Sequence, residues 1–232
     1  MKSVFITGAN RGLGLGFAEY FLNNNYLVFA GTREVTDDLL KKDNLIWIKC
    51  DVTDDSSIKN VVEEIKSRSE NISFLINNAG TNKDTIPEGD KDLVSKLGSL
   101  DRKALINMFN INSVSPIIFV QSFLPILTND CFIINISSAR ASFSDGHAGS
   151  TANYGYASSK VALNMMTFCS EMELPNNVKT FAVNPGGVNT DMNPDGLRKP
   201  IEVAEQIINI TKNWKQEFNG KFLNYDGAFY RL

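Results

Sequence analysis

The chain has a single histidine, His147, and three cysteines, Cys50, Cys131 and Cys169, spread far apart. One imidazole cannot build a histidine metal cluster. Set in a Gly/Ser/Asp-rich stretch, it reads as a loop residue rather than as the base of a Ser-His-Asp triad. Three distant cysteines argue against a disulfide framework or a thiolate metal site, and all three are expected to be small core residues. No charge of one sign dominates: 23 Lys and Arg stand against 26 Asp and Glu, for a net charge of -3 and a pI near 5.3. That balance offers nothing to a nucleic acid or an anionic membrane surface, so an anionic ligand has to be met by local groups. A basic leader followed by an apolar run is missing, and no apolar segment reads as near the length of a membrane span, which makes the cytoplasm the expected location. No repeat, low-complexity tract or linker divides the 232 residues, so residues 1–232 are expected to form one globular domain.

What is present is an alternation. Short β-branched or aromatic runs ("SVFIT", "YLVFAG", "LIWIKC", "SFLIN", "CFIINI", "VKTFAV", "KFLNY") are separated by helical patterns at "LGLGFAEYFLNN", 54–69, 101–127, 156–173 and 201–214. Seven strands in alternation with helices predict βαβ crossovers and a parallel, doubly wound sheet of the α/β class, with helices on both faces. Near-continuous apolar strands fit burial on both sides. Within 54–69, Ile58, Val61, Val62 and Ile65 make one apolar stripe, as a surface helix requires. Ligands in such sheets sit beyond the carboxyl ends of the strands, which directs attention to the residue after each strand.

The first strand is followed by "TGANRGLG", with Gly8, Asn10, Arg11, Gly12, Leu13 and Gly14. Glycines allow a tight turn and close backbone approach to a pyrophosphate, and the helix that follows presents free N–H groups; a merely structural turn is the competing reading. The spacing is GxxxGxG rather than GxGxxG. After the second strand come Thr32 and Arg33, and with Arg11 two guanidiniums stand where a ribose 2′-phosphate would lie, favouring NADP(H) with NAD(H) as the alternative. Either arginine also reads as a solvated surface residue. Asp51 and Val52 after the third strand suit an adenine contact or a helix cap, a role that Thr53 or Asp54 fills equally well. "NNAG" after the fourth, with Asn78, Ala79 and Gly80, lets a backbone lie against a cofactor or simply turns. Ser137 and Ser138 end the fifth strand, and Pro185, Gly186, Val188 and Thr190 follow the sixth in "NPGGVNTDM".

Tyr156 and Lys160 are four residues apart in "YASSK". On a helix this step puts both side chains on one face, roughly 5–6 Å apart at Cβ. An isolated YxxxK means little, but six successive strand ends carrying the residues a dinucleotide site needs do not recur by chance. In "TGANRGLG", "NNAG", "NINS", "NISS", "YASSK" and "NPGGVNT" the chain resembles the short-chain dehydrogenase/reductase family from about residue 3 onward. Its compact length, "ALNMMT" and "GKFLNYDG" are most similar to the small carbonyl-reductase-like branch that includes the sniffer and C-factor proteins.

That resemblance implies a Rossmann-type fold and roles for named residues. Tyr156 is the implied proton donor or acceptor, and Lys160 lowers its pKa and holds the nicotinamide ribose. Ser138 bonds the substrate oxygen, and Asn112 of "NINS" completes a water-linked proton relay to Lys160. Gly8, Arg11, Gly12, Asn78, Gly80, Gly186 and Thr190 are implied cofactor contacts. Ser138 and Tyr156 stand 18 residues apart, wider than usual in the family, and the short "DMNPDGLRK" implies a poorly covered pocket. Phe143, Met192 and Ala141 are candidate pocket residues. The expected activity is NADP(H)-dependent reduction of a carbonyl to an alcohol by a protein acting on a small molecule. A dinucleotide-binding regulatory protein with incidental turnover is the rival. Pairing across 101–127 and 156–172, as in many family members, implies a homo-oligomer, dimer or tetramer.

Overall fold

The computed structural model describes residues 1–68, 71–83, 92–144 and 152–231. Seven strands, β1 (Ser3–Thr7), β2 (Leu27–Thr32), β3 (Leu45–Lys49), β4 (Ile72–Asn77), β5 (Leu127–Ile136), β6 (Lys179–Asn184) and β7 (Phe222–Asn224), form one parallel sheet. Their order is β3-β2-β1-β4-β5-β6-β7. Between them run α1 (Gly12–Asn23), α2 (Asp55–Ser67), the single turn α3 (Asp92–Ser95), α4 (Arg102–Phe109), α5 (Ser115–Phe123), α6 (Tyr154–Glu173) and α7 (Pro200–Lys212).

Every residue of β1 and β4 is buried, because helices cover both faces of the sheet. Alternate side chains go to different cores. On one side Val4 and Ile6 join Phe17 and Phe21 of α1 and Ile207 of α7. On the other, Phe5 and Leu75 meet Ile58, Val61 and Ile65 of α2 and Phe119 and Phe123 of α5. Each such fully buried side chain contributes about 1.5–3 kcal/mol of transfer free energy. The chain winds outward from β1 to β3 and then crosses back to β4, so the helices that follow β1 and β4 cover opposite faces of the sheet. In such sheets this switch of face marks the place at the carboxyl edge where ligands bind.

Several boundaries differ from the sequence reading. β5 begins at Leu127, four residues before "CFIINI", with an irregular register against Ile72 and Phe74. α6 begins at Tyr154, because Asn153 Oδ1 accepts the Tyr156 N–H at 2.9 Å and caps the helix there. α3 was not anticipated; four residues leave no periodicity to read. Cys50 and Cys131 are core residues with thiols pushed up to about 12 by burial, but Cys169 is exposed, on an outward face of α6 with Phe168 and Met172. The expectation that no segment reaches membrane-span length is also corrected. α4, a π-helical turn (Asn110–Val114), α5 and a 3-10 turn (Leu124–Ile126) join into a 25-residue helical run, Arg102–Ile126, whose most apolar 18-residue window has a mean hydropathy of 1.2. By length and composition alone the run is long and apolar enough to cross a membrane; 44% of that window is buried inside the fold. Its asparagines and serines disguise the run in the sequence. His147 and part of the loop between Ser138 and Tyr156 lie outside the described residues.

Candidate active site

Two of the strand-end loops are stitched together. The Asn78 side-chain amide donates to the carbonyls of Thr7 at 2.9 Å and Gly8 at 3.1 Å. Thr7 Oγ1 accepts the N–H groups of Asn78 and Ala79, each at 2.9 Å. Gly8 and Gly12 both have positive φ, +64° and +54°, and a methyl on Gly8 would lie 3.1 Å from the Ala79 Cα, so this turn accepts only glycine without strain. The turn delivers α1, whose N-cap, Arg11, makes no side-chain capping bond and whose first turn holds no acid. By contrast Asp54, Asp101 and Asn153 cap α2, α4 and α6 through their side chains. α1 therefore keeps its N–H groups and positive dipole end for an anion, as a pyrophosphate requires. The side chains of Leu13 and Val188 lie in the core, so only their backbones can face the carboxyl edge. Asn10 is exposed beside the turn.

The charged candidates divide. Arg11 Nη1 pairs with Asp191 Oδ2 at 3.2 Å, with both side chains largely exposed, whereas Arg33 is exposed and has no ion-pair partner among the described residues. Thr32 is buried and its hydroxyl donates to the Glu34 carbonyl at 3.1 Å. Asp51 Oδ1 accepts from the Thr53 N–H and hydroxyl at 2.9 and 2.8 Å, folding its own loop, while Asp54 takes the capping role. Val52 is half-buried against the α2 side of the sheet.

Further along the edge the chemistry-bearing side chains gather. Lys160 is 4% exposed, and its Nζ donates to the Ile136 carbonyl at 2.7 Å while standing 5.9 Å from the centre of the Tyr156 ring. The Ser138 hydroxyl lies close enough to the Tyr156 phenol to favour its ionised form. Asn112, fully buried in the π-helical turn, exchanges two bonds with the Thr81 backbone: its Oδ1 accepts at 2.9 Å and its Nδ2 donates at 2.8 Å. A methyl on Gly80 would sit 3.2 Å from that Oδ1 and 3.6 Å from Lys160 Nζ, which places both groups around one point of the β4 loop. Ser138, Tyr156, Lys160 and Asn112, from three separate segments, thus converge.

The electrostatics depart from expectation. The Tyr156 phenol is held above its ordinary value, chiefly by burial; the Ser138 hydroxyl and the positive charge of Arg140 pull the other way. Lys160 is engaged beside the ring rather than at the phenol. Its ammonium is turned to a backbone carbonyl, and burial brings its own pKa down to about 8. Without a dinucleotide the tyrosine therefore rests protonated.

After β6, Thr190 returns to the glycine turn: its Cγ2 would be 3.2 Å from a methyl on Gly12. Phe143 and Met192 are exposed beyond the strand ends, but Ala141 packs fully buried against Ala182 and Phe222 and lines nothing. A hollow of about 1120 Å³ lies elsewhere, along α4 beside Ile106 and Val114.

A model of the short chain dehydrogenase family matches residues 2–199. The chain belongs to the short-chain dehydrogenase family. It is 30% identical over 253 residues to the 3-oxoacyl-[acyl-carrier-protein] reductase FabG of Thermotoga maritima, covering 98% of this chain and 97% of the relative. Of one Saccharomyces cerevisiae relative, an uncharacterised oxidoreductase, it spans 61% of the length at 26% identity. Among solved structures it is similar to the NADPH-bound carbonyl reductase of chicken fatty liver (TM-score 0.86, 28% identity, 100% and 99% of the two chains). It is similar as well to the carbonyl reductase Sniffer of D. melanogaster (TM-score 0.87, 26% identity, both chains covered in full). The fold is the Rossmann-type arrangement of this oxidoreductase family.

Four residues that shape this short-chain dehydrogenase's site were missed in the sequence. Thr7 joins the two loops. Ser159 accepts from Asn112 Nδ2 at 3.0 Å and donates to the Tyr156 carbonyl at 2.8 Å. Asn184 Oδ1 accepts the N–H groups of Ala139 and Gly186, joining the β5 and β6 ends, and Arg140 supplies the charge felt by Tyr156. Three lie inside motifs quoted above, "TGANRGLG", "YASSK" and "NPGGVNT", where the catalytic and glycine positions drew attention away from them. Arg140 follows "NISS" with no pattern to mark it.

Proposed function

We propose that this short-chain dehydrogenase reduces a carbonyl, in an aldehyde, ketone or quinone, to the alcohol with NADP(H). The observation that carries the reading is the convergence of Ser138, Tyr156, Lys160 and Asn112 at the carboxyl edge, beside a glycine turn and an uncapped helix N-terminus able to take a pyrophosphate. A nicotinamide bound there supplies the hydride. The backbone of Gly8–Gly12 and the start of α1 hold the phosphates, and Arg33, with Arg11 on release from Asp191, meets the 2′-phosphate. Ala79, Gly80, Pro185, Gly186 and Thr190 bound the path of the dinucleotide.

Ser138 donates a hydrogen bond to the carbonyl oxygen, and Tyr156 gives its proton to the alkoxide that forms there. A phenol kept protonated by burial suits this direction: it enters as the acid. Lys160, charged at neutral pH with a pKa near 8, holds the ribose and returns a proton to Tyr156 by a relay past Asn112. NADPH consumption with a panel of aldehydes, ketones and quinones tests the proposal. Turnover abolished in Tyr156→Phe with NADPH binding kept supports it; an unreactive wild-type chain that still binds NADPH supports the rival regulatory role.

We also propose a homo-oligomer. Ile106, Val114 and Leu124 on the long helical run and Met165, Phe168 and Met172 on α6 are exposed apolar side chains along the two elements expected to pair. Sedimentation of the wild type against Ile106→Glu/Met172→Glu is expected to show the variant dissociated.

A further inference from the structure

Arg198 has no place in the chemistry above, yet its guanidinium is among the most heavily engaged in the chain. Nη2 donates to the Pro185 carbonyl at 2.6 Å, and Nη1 donates to Gln206 Oε1 of α7 at 2.9 Å. The guanidinium carbon stands 3.6 Å from the centre of the Tyr225 ring, just after β7. Among the described residues no carboxylate pairs with it, so its charge is satisfied by a carbonyl, an amide and an aromatic face. The turn it grips is shaped to it. Gly186 has a φ of +68°, and a methyl there would meet Arg198 Nη2 at 2.1 Å. The backbone closes the same loop, with Asn189 N–H donating to the Arg198 carbonyl at 2.9 Å.

We propose that Arg198 is a positioning residue for the cofactor: stacked on Tyr225, it fixes the Pro185–Gly187 turn in the form that receives the nicotinamide end of the dinucleotide. This rests on the dinucleotide-dependent reading above. The side chain ties three elements, the β6 end, α7 and the β7 end, so the turn is set before any ligand arrives and binding need not order it.

The test is direct binding followed by nicotinamide fluorescence, with no turnover involved. Arg198→Met is expected to raise the NADPH dissociation constant about tenfold, the size of one lost charge-assisted bond. Tyr225→Phe keeps the ring under the guanidinium and should stay within about twofold of wild type. If Arg198→Met does not fold, Arg198→Lys, which keeps the charge but not the planar fork, carries the same expected loss. Wild-type affinity in whichever of the two variants is measured overturns the proposal. A second measurement needs no cofactor: Gly186→Ala should lower the unfolding midpoint less in the Arg198→Met background than in the wild type, because the colliding nitrogen has gone. Additive effects overturn the claim that the guanidinium shapes the turn. If the wild type binds no NADPH, the functional reading fails, and this cycle still decides the positioning claim.

Discussion

The two halves of the carboxyl edge are held in different ways. Around the glycine turn, after β1 and β4, the polar groups of Thr7 and Asn78 are spent on one another's backbones, and the loops are braced from within. After β5 and β6 the reactive side chains are braced from below, but Phe143, Met192 and Leu197 reach into solvent, the last 97% exposed. On the reading proposed above, the first half receives the dinucleotide and the second sets the position of a carbonyl oxygen through Ser138 and Tyr156.

Substitutions in the two halves should therefore fail differently. Tyr156→Phe is expected to lower kcat by about 10³-fold or more while leaving the NADPH dissociation constant near wild type; equal losses in both would erase the distinction. Lys160 gives the next largest effect, on stability. Its folded pKa is near 8 against 10.5 ordinarily, so between those values the unfolded chain binds more protons. Stability should rise with pH across that window, by up to about 3 kcal/mol, and the gain be absent in Lys160→Met. Above pH 10 the raised Tyr156 acts oppositely, since its folded phenol keeps a proton that the unfolded one has lost. Denaturant titrations of both chains from pH 7.5 to 10 check the sign. In the braced half, Asn78→Ala should cost about 2 kcal/mol of stability and weaken NADPH and NADH binding together. The smallest effect is expected for Arg33→Ala: NADPH affinity about tenfold lower with NADH little changed, because one charge-assisted contact is removed. A parallel loss of both dinucleotides would make Arg33 structural and move the burden of selectivity to Arg11.

All seven strands were legible because each is an apolar run ended by turn residues, and the stripe Ile58, Val61, Val62 and Ile65 located the buried face of α2. The convergence of Ser138, Tyr156, Lys160 and Asn112 was legible only through motifs compared with a family, since nothing local in Asn112 announces a contact with Thr81. Charge relations were least readable. The sequence places Lys160 one turn from Tyr156, but which way the ammonium points depends on the Ile136 carbonyl across the sheet edge. Arg11 likewise meets Asp191, 180 residues away. Through-space partners of this kind have no spacing to find.

The wide turn at Asn110–Val114 has a consequence for how the chain tolerates change. A wide turn of this kind holds one residue more than the regular turn it replaces, so deleting one residue there would let the run close into plain helix with the faces before and after it still in phase. The apolar flanks of α4 and α5 would keep their directions, while Asn112, which sits in the surplus turn, would lose its grip on Thr81. Shortening this stretch should therefore spare the packing and strike the site.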